Sequence, residues 1–301
     1  MDLPLKMFDY FIFFIFKIFK FLILIIPKSI IKLFLDALSK FIYLINIEHK
    51  RYAFANLDLA LKDTISKDEK VKIVKNTYTN LVYNLYDFIE NQTLDLIGFE
   101  KKITPVNDDV LVNAIKNKRK IILITAHYGN WEYGNTFIPL KYKPTTMVGR
   151  PMNNKFFNEE LKNTREKNNT QMLEKKDAAR GLVKALKDDR IIGLVIDQHN
   201  STGIEVDFFG HKVLQTDSSS KLAVKFDAII IPLFFQRTAF GKYDAIFYDA
   251  IEAKDYAKEN QIQDLTQAQA NIIEEQIRKE PSQWFWQHKR FKVFHNEIYK
   301  K

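Results

Sequence analysis

Three short runs of branched apolar residues constrain this chain most: Ile121–Thr125 (IILIT), Ile191–Ile196 (IIGLVI) and Ala228–Phe235 (AIIIPLFF). Each lacks the polar alternation of a half-solvated strand, so each reads as a strand covered on both faces. A more alternating run follows at Tyr243–Ile251, and a shorter strand at Thr145–Val148. Between them, apolar residues recur at helical spacing at about Lys155–Asn168, Lys176–Lys187 and Asp217–Phe226, while Asp264–Lys279 is a polar helix that Pro281 closes. Strands that alternate with helices bury themselves by forming one sheet with helices on its faces, which is an α/β architecture. The 301 residues, 46% of them hydrophobic, suffice for such a core and exclude general disorder. No internal repeat or long linker interrupts the chain.

The N-terminal region has a different character. From Tyr10 to Ile26 fifteen of seventeen residues are apolar, interrupted only by Lys17 and Lys20. As a helix this segment is roughly 26 Å long, at the short end for crossing a hydrocarbon core. Its two lysines share a face, so the expectation is a membrane helix that either lies in the headgroup plane with the lysines outward or spans with them snorkelling. It lacks the order of a cleavable signal peptide, so the chain is expected to keep it. Seven lysines against four acids in positions 1–50 favour the cytoplasmic side. The division expected is a membrane-attachment segment over 1–47 and a catalytic-size domain over 48–301. Residues 48–100 read as amphipathic helices in which no chemistry announces itself.

Cysteine is absent, which removes disulfides, zinc-thiolate sites, iron–sulfur clusters and a thiol nucleophile together. The formal charge of +9 favours an anionic partner. Nucleic acid is not expected, since no recognition motif accompanies the charge. His199, His211 and His288 match no metal-ligand spacing, so no metal is expected.

Directly after the first buried strand stands Ala126-His127-Tyr128-Gly129-Asn130-Trp131-Glu132, a histidine and a carboxylate five positions apart where a strand meets a helix. Reactive groups collect at the carboxyl ends of strands in open α/β sheets. An imidazole serves as a general base near neutral pH, and a carboxylate in reach fixes its tautomer and stabilises the imidazolium it becomes. The pair suits activation of a hydroxyl. Gly129 permits a tight turn and close approach of a substrate, and a following helix N-terminus offers N–H groups to a developing oxyanion.

The stretch ITAHYGNWEYG resembles the His-x4-Asp/Glu block of the bacterial lipid A biosynthesis acyltransferases, the late or secondary lauroyl- and myristoyl-type enzymes. Other blocks agree in order: Gly149-Arg150-Pro151-Met152-Asn153-Asn154, Arg165-Glu166, Asp197-Gln198, Phe208-Phe209-Gly210 with Thr216, Pro232, and Gln283-Trp284-Phe285-Trp286-Gln287-His288-Lys289-Arg290-Phe291-Lys292. The early Arg51 and Asn56-Leu57 fit as well, so the likeness covers nearly the whole chain. It implies a glycerolphosphate-acyltransferase-like mixed sheet at the cytoplasmic face of the bacterial inner membrane. It also implies transfer of a fatty acyl group from acyl carrier protein to a hydroxyl of an anionic lipid A precursor, in lipopolysaccharide or lipooligosaccharide biosynthesis. By the same resemblance His127 is the general base and Glu132 its orienting partner. No cofactor is implied, acyl carrier protein being a co-substrate, and no covalent acyl-enzyme is required.

Among supporting residues, Arg150 follows a strand and suits a phosphate or sugar of the acceptor, because a guanidinium pairs bidentately with phosphate. Arg165 is a weaker substrate-binding candidate on a charged helix. Asp197 and Gln198 end a buried strand, the same kind of position as His127, and suit orientation of the histidine or of the acceptor hydroxyl. Phe208-Phe209-Gly210 either lines an acyl tunnel or packs. Trp284, Phe285 and Trp286 among C-terminal charges suit a membrane interface, and part of the positive surface suits docking of an acidic carrier protein. Two other readings stand beside this one: acylation of another glycolipid or aminolipid, such as a phosphatidylinositol mannoside or ornithine lipid, and a non-catalytic basic membrane adaptor.

Overall fold

The computed structural model describes residues 3–62, 64–151 and 154–300, so Met152 and Asn153 of the Gly149–Asn154 block lie outside the described residues. In chain order the elements are α1 (Leu3–Ile25), α2 (Lys28–Ile45), α3 (Ile47–Ala60), α4 (Lys67–Asn91), α5 (Leu96–Glu100), β1 (Ile103–Val106), α6 (Asp109–Lys116), β2 (Lys120–Thr125), α7 (Phe137–Lys141), β3 (Thr145–Gly149), α8 (Lys155–Glu166), β4 (Thr170–Glu174), α9 (Ala178–Lys187) and β5 (Ile191–Val195). There follow β6 (Ile204–Phe208), β7 (His211–Gln215), α10 (Ser218–Phe226), β8 (Ala228–Ala239), β9 (Lys242–Phe247) and α11 (Gln261–Lys279).

A seven-stranded sheet runs β1-β9-β8-β2-β5-β3-β4, and β6-β7 form a separate hairpin. All its neighbours are parallel except β8 and β9, so the sheet is mixed. Because side chains alternate along a strand, Ile122 and Ile124 of β2 enter one apolar layer with Leu57, Val74, Leu182 and Ile273. Ile121 and Leu123 enter the opposite layer with Phe137, Ile231 and Phe235. Covering both faces explains why these strands carry no polar alternation.

α1 packs on the domain through Phe13 and Phe16, whose rings meet Phe156 and Phe157 of α8 at centroid distances of 5.0–5.6 Å. Among the described residues no helix is long and apolar enough to cross a membrane. The spanning alternative expected for Tyr10–Ile26 is therefore not supported. The lysines also face the other way from the expectation: Lys17 and Lys20 pair with Glu160 of α8 at 2.8 and 2.6 Å. A half-buried aromatic contact and two ion pairs on one side turn that side toward the protein. Phe11, Phe14, Ile15, Ile18, Phe21 and Leu22 are left exposed.

Candidate active site

The parallel order β2-β5-β3 sends three chains out of the sheet at one edge. Thr125 of β2 stands opposite Val195 of β5, and the Ile196 amide still bonds to the Thr125 carbonyl at 3.1 Å. Two residues beyond the matched pair on each strand come His127 and Asp197. The register that buries both strands thus brings these side chains together.

Their contact is close and directed. The His127 ring Nδ1 lies 2.7 Å from Asp197 Oδ1, and the His127 amide donates to Oδ2 at 2.9 Å. The buried indole Nε1–H of Trp284 also donates to Oδ2, at 2.7 Å. Burial raises the Asp197 carboxyl, but the charge of His127 and these hydrogen bonds outweigh it and lower the group to about 2. An ionised carboxylate only accepts, so Nδ1 carries the proton and Nε2 of the neutral ring carries the lone pair. Nε2 faces the side-chain amide of the exposed Gln198 at 3.2 Å. The imidazole is 20% exposed and Asp197 3%, so the base opens outward and its partner does not.

Glu132, expected beside the imidazole, is hydrogen-bonded elsewhere. Its two oxygens take a bidentate pair from Arg165 of α8, Nε to Oε2 at 3.0 Å and an Nη to Oε1 at 2.6 Å, and Asn135 adds a bond at 3.1 Å. The reason is local: Trp131–Asn135 forms a short 3-10 helix, and this turn carries Glu132 toward α8 while the Trp131 ring rests edge-on against His127 at 4.8 Å. Arg165, expected to bind substrate, is likewise occupied by this pair. Arg150 is exposed at the end of β3 and makes no ion pair among the described residues.

Two further expectations change. Gly129 adopts φ +53°, and a Cβ there would stand 1.8 Å from the Phe235 carbonyl oxygen. The glycine therefore admits β8, not a substrate. The amides of the loop are also committed: His127 to Asp197, Tyr128 to Ala126, Gly129 to Gln283 and Asn130 to Phe235, at 2.7–3.0 Å. These four amides, ahead of the turn at Trp131, are spent on holding the loop.

Behind the site the C-terminal segment acts as a clamp. The Phe285 amide donates to the His127 carbonyl at 2.9 Å. Buried Arg290 donates to the carbonyls of Gln198 and Leu214 at 3.0 and 2.7 Å. Trp284 and Trp286 are 2% and 0% exposed, which corrects their expected place at a membrane interface. Phe208 and Phe209 pack against Trp284 and Trp286, so of the two readings of that block the structure gives packing. Asn56, on α3, donates to the carbonyls of Trp286 and His288.

On the other side Asp87 of α4, 1% exposed, receives Lys102 at 3.0 Å, Tyr133 at 3.2 Å, Asn130 at 3.3 Å and the Tyr243 hydroxyl. This buried network braces the loop from α4. The sequence signal that could have found it is Asp87 with Glu90 one helical turn on, both of which meet Lys102. A small apolar cavity lies beside the loop, lined by Leu123, Trp131, Gly134, Met147, Gly193 and Phe235 among others. Trp131 is its wall toward His127.

The family model described as bacterial lipid A biosynthesis acyltransferase matches residues 2–293. No curated protein matches the chain.

Proposed function

The chain belongs to the bacterial lipid A biosynthesis acyltransferase family, whose activity is acyl transfer in lipid A synthesis; from the site we propose how it performs that transfer. A fatty acyl thioester on acyl carrier protein is the donor, and a hydroxyl of an anionic lipid A precursor is the acceptor. The single observation that carries this reading is the buried Asp197 carboxylate on Nδ1 of an imidazole whose Nε2 opens outward.

Nε2 of His127 takes the hydroxyl proton as the acceptor oxygen attacks the thioester carbonyl carbon. Asp197 stabilises the imidazolium that forms. Collapse of the tetrahedral intermediate expels the thiolate, which receives the proton from Nε2. The thioester is already activated, so the reaction uses no cofactor and no acyl-enzyme. Arg150 supplies a guanidinium for an acceptor phosphate. Glu132 and Arg165 hold the loop against α8, a structural role in place of the catalytic and substrate-binding ones expected. The exposed apolar face of α1 lies on the bilayer, on the cytoplasmic side of the inner membrane, and the surface charge steers an acidic carrier protein.

The test is transfer of a radiolabelled acyl group from acyl carrier protein to a lipid A precursor, with a phosphatidylinositol mannoside and an ornithine lipid as competing acceptors. His127→Ala is expected to lose at least about 100-fold in turnover while keeping its fold. Turnover near the wild-type level in that variant refutes the mechanism, preference for another acceptor refutes the lipid A precursor as substrate, and lipid binding without transfer by the wild type supports a non-catalytic adaptor.

A further inference from the structure

The tetrahedral intermediate places negative charge on the former carbonyl oxygen, and a donor must meet it. The loop after β2 commits the amides of His127, Tyr128, Gly129 and Asn130, which bond to Asp197, Ala126, Gln283 and Phe235. The 3-10 turn beyond it is only five residues long, too short for aligned peptide dipoles. Past the β5 end the Ile196 amide goes to the Thr125 carbonyl at 3.1 Å and the His199 amide to His288 Nε2 at 2.8 Å.

One donor stands at the reacting position. The Gln198 Nε2 amide is 3.2 Å from His127 Nε2, where the acceptor hydroxyl must sit for its proton to be taken. The backbone beneath it is fixed, because buried Arg290 donates to the Gln198 carbonyl at 3.0 Å and to Leu214 and Gln215 at 2.7 and 2.9 Å. On the other side Trp284 and His127 hold Asp197. A rigid backbone carrying an exposed amide suits a donor that must change partner without moving its anchor.

We infer that Gln198 is a catalytic residue: its side-chain amide caps the base nitrogen in the empty enzyme and, once the acceptor hydroxyl takes that place, donates to the carbonyl oxygen of the acyl thioester. The balance is complete. The oxygen–carbon bond forms, the carbonyl π pair moves onto oxygen and is held by the Gln198 N–H, and the hydroxyl proton passes to His127. When the carbonyl reforms, the carbon–sulfur bond breaks and the thiolate leaves with that proton. This role rests on the acyl-transfer reading above.

The experiment compares wild type, Gln198→Ala, Gln198→Glu and His127→Ala in acyl transfer from the carrier protein, with kcat and KM measured across pH. Loss of one oxyanion donor costs about 10²–10³-fold in kcat, so Gln198→Ala is expected to fall by that much with KM for both substrates little changed. Gln198→Glu, which presents an acceptor and a charge, falls at least as far. The limbs of the kcat profile stay in place, because the amide has left the imidazole in the bound state. A shifted kcat limb with little loss at the optimum shows that Gln198 only tunes His127, and overturns the proposal. Loss in His127→Ala with wild-type turnover in Gln198→Ala also overturns it while leaving acyl transfer standing. Wild-type turnover in both variants overturns both readings.

Discussion

At the residue scale, two carboxylates are near enough in sequence or space to hold the His127 imidazole, and their surroundings separate them. Asp197 is buried, ionised and bonded to Nδ1; Glu132 is saturated by a bidentate guanidinium. Asp197→Asn would offer an amide where an acceptor is needed and favour the wrong tautomer, so kcat is expected to drop about 100-fold or more. Glu132→Ala and Arg165→Ala should each lower Tm by leaving a partly buried partner unpaired. The double variant should lose less than the sum, with a coupling energy of about 0.5–3 kcal/mol. Kinetics and thermal melts of the four variants check this, and an active Asp197→Asn beside a well-folded, inactive Glu132→Ala would return the orienting role to Glu132. His127 was legible in the sequence because a buried strand ends just before it. Asp197 was read as one of two groups suited to orient it, behind Glu132, because spacing along a chain does not reveal that Thr125 and Val195 share a register.

At the element scale, the strands that were legible are those covered on both faces, β2, β5 and β8, together with β3 and β9. Those missed, β1, β4 and the β6-β7 hairpin, are edge or separate strands whose one wet side dilutes the apolar signal. The C-terminal segment was misread for a related reason: its charges flank aromatics that prove to be core. That segment also couples the site to acid stability. Burial lowers the His288 imidazole to about 4, against the opposing pull of Asp197, and its Nε2 accepts the His199 amide. A group whose folded value is depressed binds more protons when unfolded, so its contribution is full above the ordinary value of 6.5 and is lost as pH falls toward 4. Asp197 adds a second loss between 3.8 and about 2. Urea midpoints should therefore fall between pH 7 and pH 4, and His288→Gln should flatten that first decline. A midpoint independent of pH over this range contradicts the burial of His288 as a neutral ring.

At the scale of the whole molecule, charge and apolar surface are segregated in a way that composition conceals. The chain carries +9, yet N-terminal lysines are already engaged: Lys17 and Lys20 with Glu160, Lys28 with Glu90, and Lys32 with Asp36, at 2.6–2.8 Å. What α1 and α2 present outward is apolar, with Phe14, Ile18, Phe21, Leu33 and Phe41 all exposed. Attachment to a bilayer through this face should follow buried apolar area, at about 25 cal/mol per Å², more than attraction to anionic headgroups. Raising salt from 0.1 to 1 M shortens the screening length from about 10 to about 3 Å and leaves apolar burial intact. The full chain is expected to sediment with vesicles of phosphatidylethanolamine and phosphatidylglycerol at both salt concentrations. The variant carrying Phe14→Ser, Ile18→Ser and Phe21→Ser should stay in the supernatant with Tm unchanged, because these side chains do not support the fold. Release of the wild type by 1 M salt would mean that the basic surface makes the attachment and that the outward face of α1 serves another contact.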